Sequence, residues 1–274
     1  MRCNIDDIWI NYEVIGEGKS ILMIHGFYAD HRLMKGCMEP IFKDLYGYKR
    51  IYIDLPGMGK TNGSEKITCS DNILDIVLEF INKVIPEEKF LLAGESFGGY
   101  ISRGIIYNMA DRVDGLCLIC PVIYAYMDKR NVDNHVILHR DEELLSRLSD
   151  EDLDMFDKSS VVQSRRIFER YRNDVLSGIK IREKDFLRNI KKYGYEYSFD
   201  VDVLEHKFLK PSLILLGRQD SSVGYRDAIS ILENYPRATF AIIDKCGHNL
   251  QIEQERLFNE LVKEWIMRTR EENK

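Results

Sequence analysis

Phe90-Leu91-Leu92-Ala93-Gly94-Glu95-Ser96-Phe97-Gly98-Gly99-Tyr100 is an apolar run with a glycine two places before and two places after a serine. The Gly-x-Ser-x-Gly spacing has a mechanical meaning. Where a strand turns sharply into a helix, the backbone on both sides of the turn packs against neighbouring chain, and a Cβ at those two positions obstructs it. The serine then stands at the tip. The free N–H groups of the new helix point toward its hydroxyl, where negative charge develops during attack on a carbonyl. A five-residue pattern also arises by chance, so its meaning depends on whether the chain supplies a base, an orienting acid and a second oxyanion donor.

The rest of the composition is that of an ordinary globular protein. The 274 residues are 45% hydrophobic and 31% charged, enough for one large domain or one domain carrying an insertion. A formal net charge of −6 without a basic block disfavours nucleic acid as a partner. No stretch reaches about 18 uninterrupted apolar residues, and no apolar run follows a basic segment near Met1, so no membrane association and a cytoplasmic location are expected. The six cysteines lack the dense spacing of a disulfide scaffold. Cys117 and Cys120 form a C-x-x-C, but inside an apolar strand-like run, where they read as small buried apolar groups. Zinc would need a second Cys/His pair, and none has suitable spacing.

Outward from the serine, strand and helix patterns alternate. Residues of about 7 to 15 alternate polar and apolar, as in a half-exposed antiparallel strand. Ser20 to Ile24 is a continuous apolar run closing on His25-Gly26-Phe27, and Arg50 to Leu55 leads into Pro56-Gly57-Met58-Gly59. Gly59-Lys60-Thr61 imitates the end of a nucleotide-binding loop, but the required first glycine is Asp54. Apolar positions of period 3.6 predict a helix over 71–85, with Ser70 or Asp71 as its N-cap. A helix follows from about Gly98 to Met109, then a strand ending at Cys120-Pro121. This order implies a parallel sheet covered on both faces, with reactive loops at the carboxyl ends of its strands.

Residues 122–209 read differently, as charged helical sequence in which Leu144, Leu148, Leu153, Phe156, Phe168 and Tyr171 are expected to pack. The sheet pattern resumes at Pro211 to Asp220. A helix over about 225–233, a strand over 238–244 and a terminal helix with Leu257, Phe258, Leu261, Val262 and Trp265 on one face close the chain.

Ser96, Asp220 and His248 occur in that chain order, with Gly217-Arg218-Gln219 before the acid and Gly247 before the histidine. Together with His25-Gly26-Phe27 and Asp54-Leu55-Pro56-Gly57-Met58-Gly59, these motifs resemble the α/β-hydrolase superfamily, in its serine hydrolase branch with an inserted cap. The likeness covers roughly residues 8–121 and 210–270. It implies an α/β fold with a mostly parallel, eight-stranded type of sheet, helices on both faces, a core of 1–121 and 210–274, and a helical cap over 122–209.

The resemblance also implies roles. Serine needs an imidazole to remove its proton and return it to the leaving group, and His248 fits that role better than His25, whose His-Gly pair usually scaffolds the oxyanion loop in such proteins. Asp220 orients the imidazole; Asp244 is the nearest competitor. The backbone N–H groups of Phe97 and Phe27 form the oxyanion hole. Tyr124 and Tyr126 either line the pocket or simply pack, and Glu95 carries no assigned chemistry. Serine rather than aspartate at position 96 argues against the haloalkane dehalogenase and epoxide hydrolase branches.

The expected activity is hydrolysis of a small ester, as by a carboxylesterase, on a small-molecule acyl substrate without cofactor or metal. Alternatives are a C–C bond hydrolase acting on a vinylogous diketone, a proline iminopeptidase-like peptidase, and a slow-turnover ligand receptor.

Overall fold

The computed structural model describes residues 1–272, so the last two residues of the expected 210–274 core span lie outside it. The main-sheet strands are β1 (Arg2–Ile5), β2 (Ile8–Ile15), β3 (Lys19–Ile24), β4 (Tyr48–Ile53), β5 (Phe90–Glu95), β6 (Val113–Ile119), β7 (Ser212–Gly217) and β8 (Ala238–Ile243). Their spatial order is β1-β2-β4-β3-β5-β6-β7-β8. Only the β1–β2 and β2–β4 pairs are antiparallel; all the others are parallel. Every residue of β5, β6 and β7 is buried, which explains why these strands are continuous apolar runs rather than alternating ones.

The α-helices of at least seven residues are α1 (His31–Phe42), α2 (Ser70–Val84), α3 (Phe97–Met109), α4 (Asp150–Ser159), α5 (Arg165–Tyr171), α6 (Lys184–Tyr193) and α7 (Glu255–Glu271). α1 and α7 pack on one face of the sheet, and α2 and α3 on the other. The buried stripe of α7 is Phe258, Val262, Trp265, Ile266 and Thr269, with the Trp265 indole N–H donating to the Pro211 carbonyl. Leu257, expected on that stripe, is exposed, because one residue of helix turns it about 100° from Phe258.

Other local expectations also shift. The helix expected over 225–233 is a 3-10 helix at Asp227–Asn234, whose rise of about 2.0 Å per residue, against about 1.5 Å in an α-helix, reaches further toward the start of β8. α2 is not capped by Ser70 or Asp71. Ser70 is its first residue and gives its hydroxyl proton to the Tyr195 carbonyl, while Asp71 accepts from Ser198. Both side chains are thereby spent on tying α2 to residues 195–198.

Between β6 and β7 the regular structure is mostly helical, with α4, α5 and α6, and includes a parallel pair of His139–Arg140 with Val162–Gln163. α5 runs into a π-helical turn at Arg172–Leu176. Leu144, Phe156, Phe168 and Tyr171 are buried, with Leu148 and Leu153 packed against them, as their spacing predicted. Charges fasten the segment to the sheet domain. Arg170 bridges Asp174 and Glu255, and the buried Arg103 guanidinium pairs with Asp202. Cys117 and Cys120 are free and buried.

The order β4-β3-β5 creates the point at which the chain switches direction along the sheet, where crevices open at the carboxyl ends of parallel strands. Ile24 is in register with Gly94, so Gly26 and Ser96 emerge side by side. The turn itself is tight. A Cβ on Gly98 would drive into the Ile24 carbonyl, and one on Gly94 into the Gly98 carbonyl and the Ser102 hydroxyl. Gly98→Ala is therefore expected to lower stability by about 1–3 kcal/mol. Urea denaturation checks this, and an unchanged midpoint would show that the turn has room to spare.

Candidate active site

Ser96 sits between β5 and α3 with φ 53° and ψ −112°, in the left-handed region that non-glycine residues rarely adopt. The surrounding structure holds it there. Its N–H donates to the Ile119 carbonyl at 2.9 Å on one side, and its carbonyl accepts from Tyr100 and Val122 on the other. Ser96 is 7% exposed, so its hydroxyl opens onto a restricted space.

Three strand ends converge on it. Ser96 Oγ lies 2.9 Å from His248 Nε2, and His248 Nδ1 lies 2.8 Å from Asp220 Oδ2. Because Asp220 can only accept when ionised, Nδ1 carries the proton in the neutral ring and Nε2 is free to accept from the serine hydroxyl. The other oxygen of Asp220 accepts from the N–H groups of Ser222 and Val223 at 2.8 and 3.0 Å. Burial works against the charge on Asp220, but His248 and these two donors outweigh it and hold its pKa below the ordinary carboxylate value. The structure thus brings together Ser96, Asp220 and His248 from positions 152 and 28 residues apart.

The histidine loop is held from behind by Glu253. One of its oxygens accepts from the N–H of Gly247 at 2.7 Å, and the other from Val161 and Val162 at 2.6 and 2.9 Å. A single buried carboxylate therefore joins the loop carrying His248 to the helical segment between β6 and β7. Sequence reasoning passed over it, since one glutamate in a charged helical stretch looks like any other.

The two expected oxyanion donors are placed consistently with that role. Phe97 opens α3, where an N–H has no acceptor within the helix. In the loop after β3, Tyr28 N–H donates to Met58 Sδ and Ala29 N–H to the Gly26 carbonyl, while the Phe27 N–H has no partner among the described residues. His25 is the scaffold of this loop rather than a base. It is fully buried, with Nδ1 2.8 Å from the Gly26 carbonyl and Nε2 accepting from Leu55 N–H at 3.0 Å, and burial lowers its pKa. Asp244 bonds Gln219 instead of His248. His31 pairs with Asp54 at the start of α1.

Glu95, the variable member of the Gly-x-Ser-x-Gly pattern, was given no role from sequence, yet it belongs to the site. Its Oε1 is 3.5 Å from His248 Nε2, and its carboxyl also accepts from the Gly26 backbone. Burial pushes its pKa up to about 7, against the pull of His248. The signal available in sequence was a lone acid inside an otherwise apolar run. His248 therefore lies between two acids. Burial disfavours its charged form, but Asp220 and Glu95 prevail and push its pKa up to about 9.

Tyr124 is exposed and lines a separate cavity of about 350 Å³ with Tyr100, Arg103, Lys129 and Asp202. Tyr126 packs against the core with the Lys129 ammonium 5.3 Å from its ring centroid.

Two consequences are measurable. A base must be neutral to accept a proton, so kcat/KM should rise with pH along a limb lying above the ordinary histidine value of about 6.5. Glu95→Gln removes one of the anions that stabilise the imidazolium, so that limb should move to lower pH; a limb that stays in place would mean Glu95 has no influence on the base. Asp220→Asn should lower kcat by about 10⁴-fold with the fold intact by circular dichroism, because the imidazole loses its orienting acceptor. Near-normal turnover would assign that role elsewhere.

Comparison with known proteins agrees with this architecture. A family model described as alpha/beta hydrolase fold matches residues 19–255. A 2-hydroxy-6-oxononadienedioate/2-hydroxy-6-oxononatrienedioate hydrolase of Burkholderia vietnamiensis is 24% identical over 237 residues, covering 81% of this chain and 77% of that protein. The crystal structure of an alpha/beta superfamily hydrolase from Oenococcus oeni superposes with a TM-score of 0.87 at 26% identity, covering 95% of this chain and 96% of that one. A thermophilic esterase from Thermogutta terrifontis superposes with a TM-score of 0.67 at 20% identity over 98% of this chain and 99% of its own. With both the matched span and the sheet order in agreement, this chain belongs to the α/β hydrolase fold family.

Proposed function

We propose that the chain is a serine hydrolase that cleaves a small acyl substrate through a covalent acyl-enzyme. The observation that carries this reading is the unbroken path from Ser96 Oγ through the imidazole of His248 to Asp220, at 2.9 and 2.8 Å. Ser96 attacks the carbonyl carbon as His248 Nε2 takes its proton, and the carbonyl oxygen becomes an oxyanion facing the Phe97 and Phe27 N–H groups. Each such donor contributes about 3 kcal/mol to the transition state. The imidazolium then gives its proton to the leaving group. Water, deprotonated by the same imidazole, attacks the acyl-enzyme, and Ser96 regains its proton as the acid leaves. These steps use the chain's own residues throughout.

An ester is the substrate this cycle handles with the least further machinery, since an alkoxide leaving group needs one proton and His248 supplies it. A second reading is supported by the Burkholderia relative, whose name gives a dienedioate as its substrate. There the leaving group is a carbon stabilised by conjugation, and the bond broken is C–C. In either reading the helical segment between β6 and β7 acts as a lid. Glu253 supports this, since it ties that segment to the loop of the base. Ordering one orders the other.

Steady-state assays should therefore detect hydrolysis of p-nitrophenyl acetate or of a vinylogous 1,5-diketone, with Ser96→Ala reducing turnover at least 10⁴-fold. Turnover of the diketone alone selects the C–C reading, and full activity in the alanine variant would defeat both.

A further inference from the structure

Lys191 lies in the last turn of α6, and its side chain is half-buried. The ammonium rests 4.0 Å from the ring centroid of Tyr195 and 5.6 Å from that of Phe27, the residue proposed above as the second oxyanion donor. Phe27, Phe97 and Tyr195 form one aromatic cluster, with centroids 4.9 to 5.0 Å apart, so Lys191 rests on a cluster that contains the rings of both proposed oxyanion donors. It has no hydrogen bond or ion pair among the described residues. Other partly buried cations of this chain behave differently. Lys19 pairs with Asp114, Arg50 with Glu39, and Arg103 with Asp202.

A second uncompensated charge stands beside it. Arg130 donates to the carbonyls of Tyr124, Ala125 and Ser222, all neutral acceptors, and lies next to the Tyr195 hydroxyl. Ser222 belongs to the loop of Asp220, so Arg130 spans the helical segment and the triad. The nearby acids are already engaged, Asp220 with His248 and two N–H groups, Glu95 with His248 and Gly26. Burial, and then the neighbouring Arg130, pull the pKa of Lys191 down to about 8. Two like charges held near each other without a counter-ion are a standing cost that an arriving anion removes.

We infer that the substrate carries a carboxylate and that Lys191, with Arg130 behind it, receives that group while Ser96 attacks the acyl carbon. The inference rests on the acyl-hydrolase reading above and narrows its substrate class to acyl donors bearing a negative charge. A lysine serving only to clamp the aromatic cluster would affect charged and neutral substrates alike.

The test compares mono-p-nitrophenyl esters of succinate, glutarate and adipate with the p-nitrophenyl esters of butyrate, valerate and hexanoate. The expected result is a charged-over-neutral kcat/KM ratio of at least ten at one or more chain lengths. Lys191→Met should reduce that ratio at least tenfold, and Lys191→Arg should keep most of it. A ratio of one or below at every length, or one unmoved in Lys191→Met, would overturn the inference.

Calorimetry of adipate against dimethyl adipate on Ser96→Ala gives a second readout that needs no turnover. Tighter binding of the dianion, lost in the Ser96→Ala/Lys191→Met double variant, supports the subsite even if no ester is cleaved. Equal binding of the two ligands counts against it. Absence of all ester and diketone hydrolysis with adipate binding intact would instead fault the acyl-hydrolase reading.

Discussion

The strained turn at Ser96 is the constraint on which the rest depends. A serine at φ 53° is costly, by about 1–3 kcal/mol, and persists only because its neighbours leave no alternative. β5 delivers it between β3 and β6, glycines on either side let the backbone pass, and Ile119 and Val122 hold its amide and carbonyl. Everything chemical in the site is measured from that point. The His25 loop is adjacent because Ile24 pairs with Gly94, and the first N–H of α3 comes directly after the serine because the helix starts at Phe97.

The electrostatic arrangement follows from burial. Asp220, Glu95 and Glu253 are all buried acids, and they are kept by different means. Asp220 is charged through the imidazole and two amides, Glu253 is surrounded by three amides, and Glu95 has one amide and the edge of His248. Glu95 is the least compensated, so its carboxyl titrates near neutrality while Asp220 stays ionised. His248 thus lies next to an acid that burial pushes up toward neutrality, while the same acid and Asp220 raise the imidazole.

Much of this was legible in the sequence, and the reason is physical. Buried parallel strands need continuous apolar runs, and sharp turns need glycine, so β3, β5, β6 and β7 and the turns after them announce themselves. The candidate triad follows in part for the same reason, since Ser96 and Asp220 come directly after β5 and β7, whereas His248 follows the less buried β8 and is marked by Gly247 before it. What stayed hidden was decided by tertiary contact. Glu95 and Glu253 are acids whose meaning depends on which amides surround them, and Lys191 stands out only once its ring partners and missing counter-ion are seen. Tyr124, which the sequence left between lining a pocket and packing, is exposed and lines a cavity with Tyr100 and Arg103. β1, a four-residue edge strand, is too short for periodicity to declare it, and the helix at Asp227–Asn234 was legible as a helix but not as 3-10.

The central claim is that Ser96 is a nucleophile made reactive by His248. Its most direct test is peptide mapping by mass spectrometry after exposure to a fluorophosphonate, which reacts only with an activated serine. The account requires one adduct per chain, on the peptide containing Ser96, with labelling slowed strongly in His248→Ala. An adduct on another residue, or labelling at an undiminished rate without His248, would contradict it.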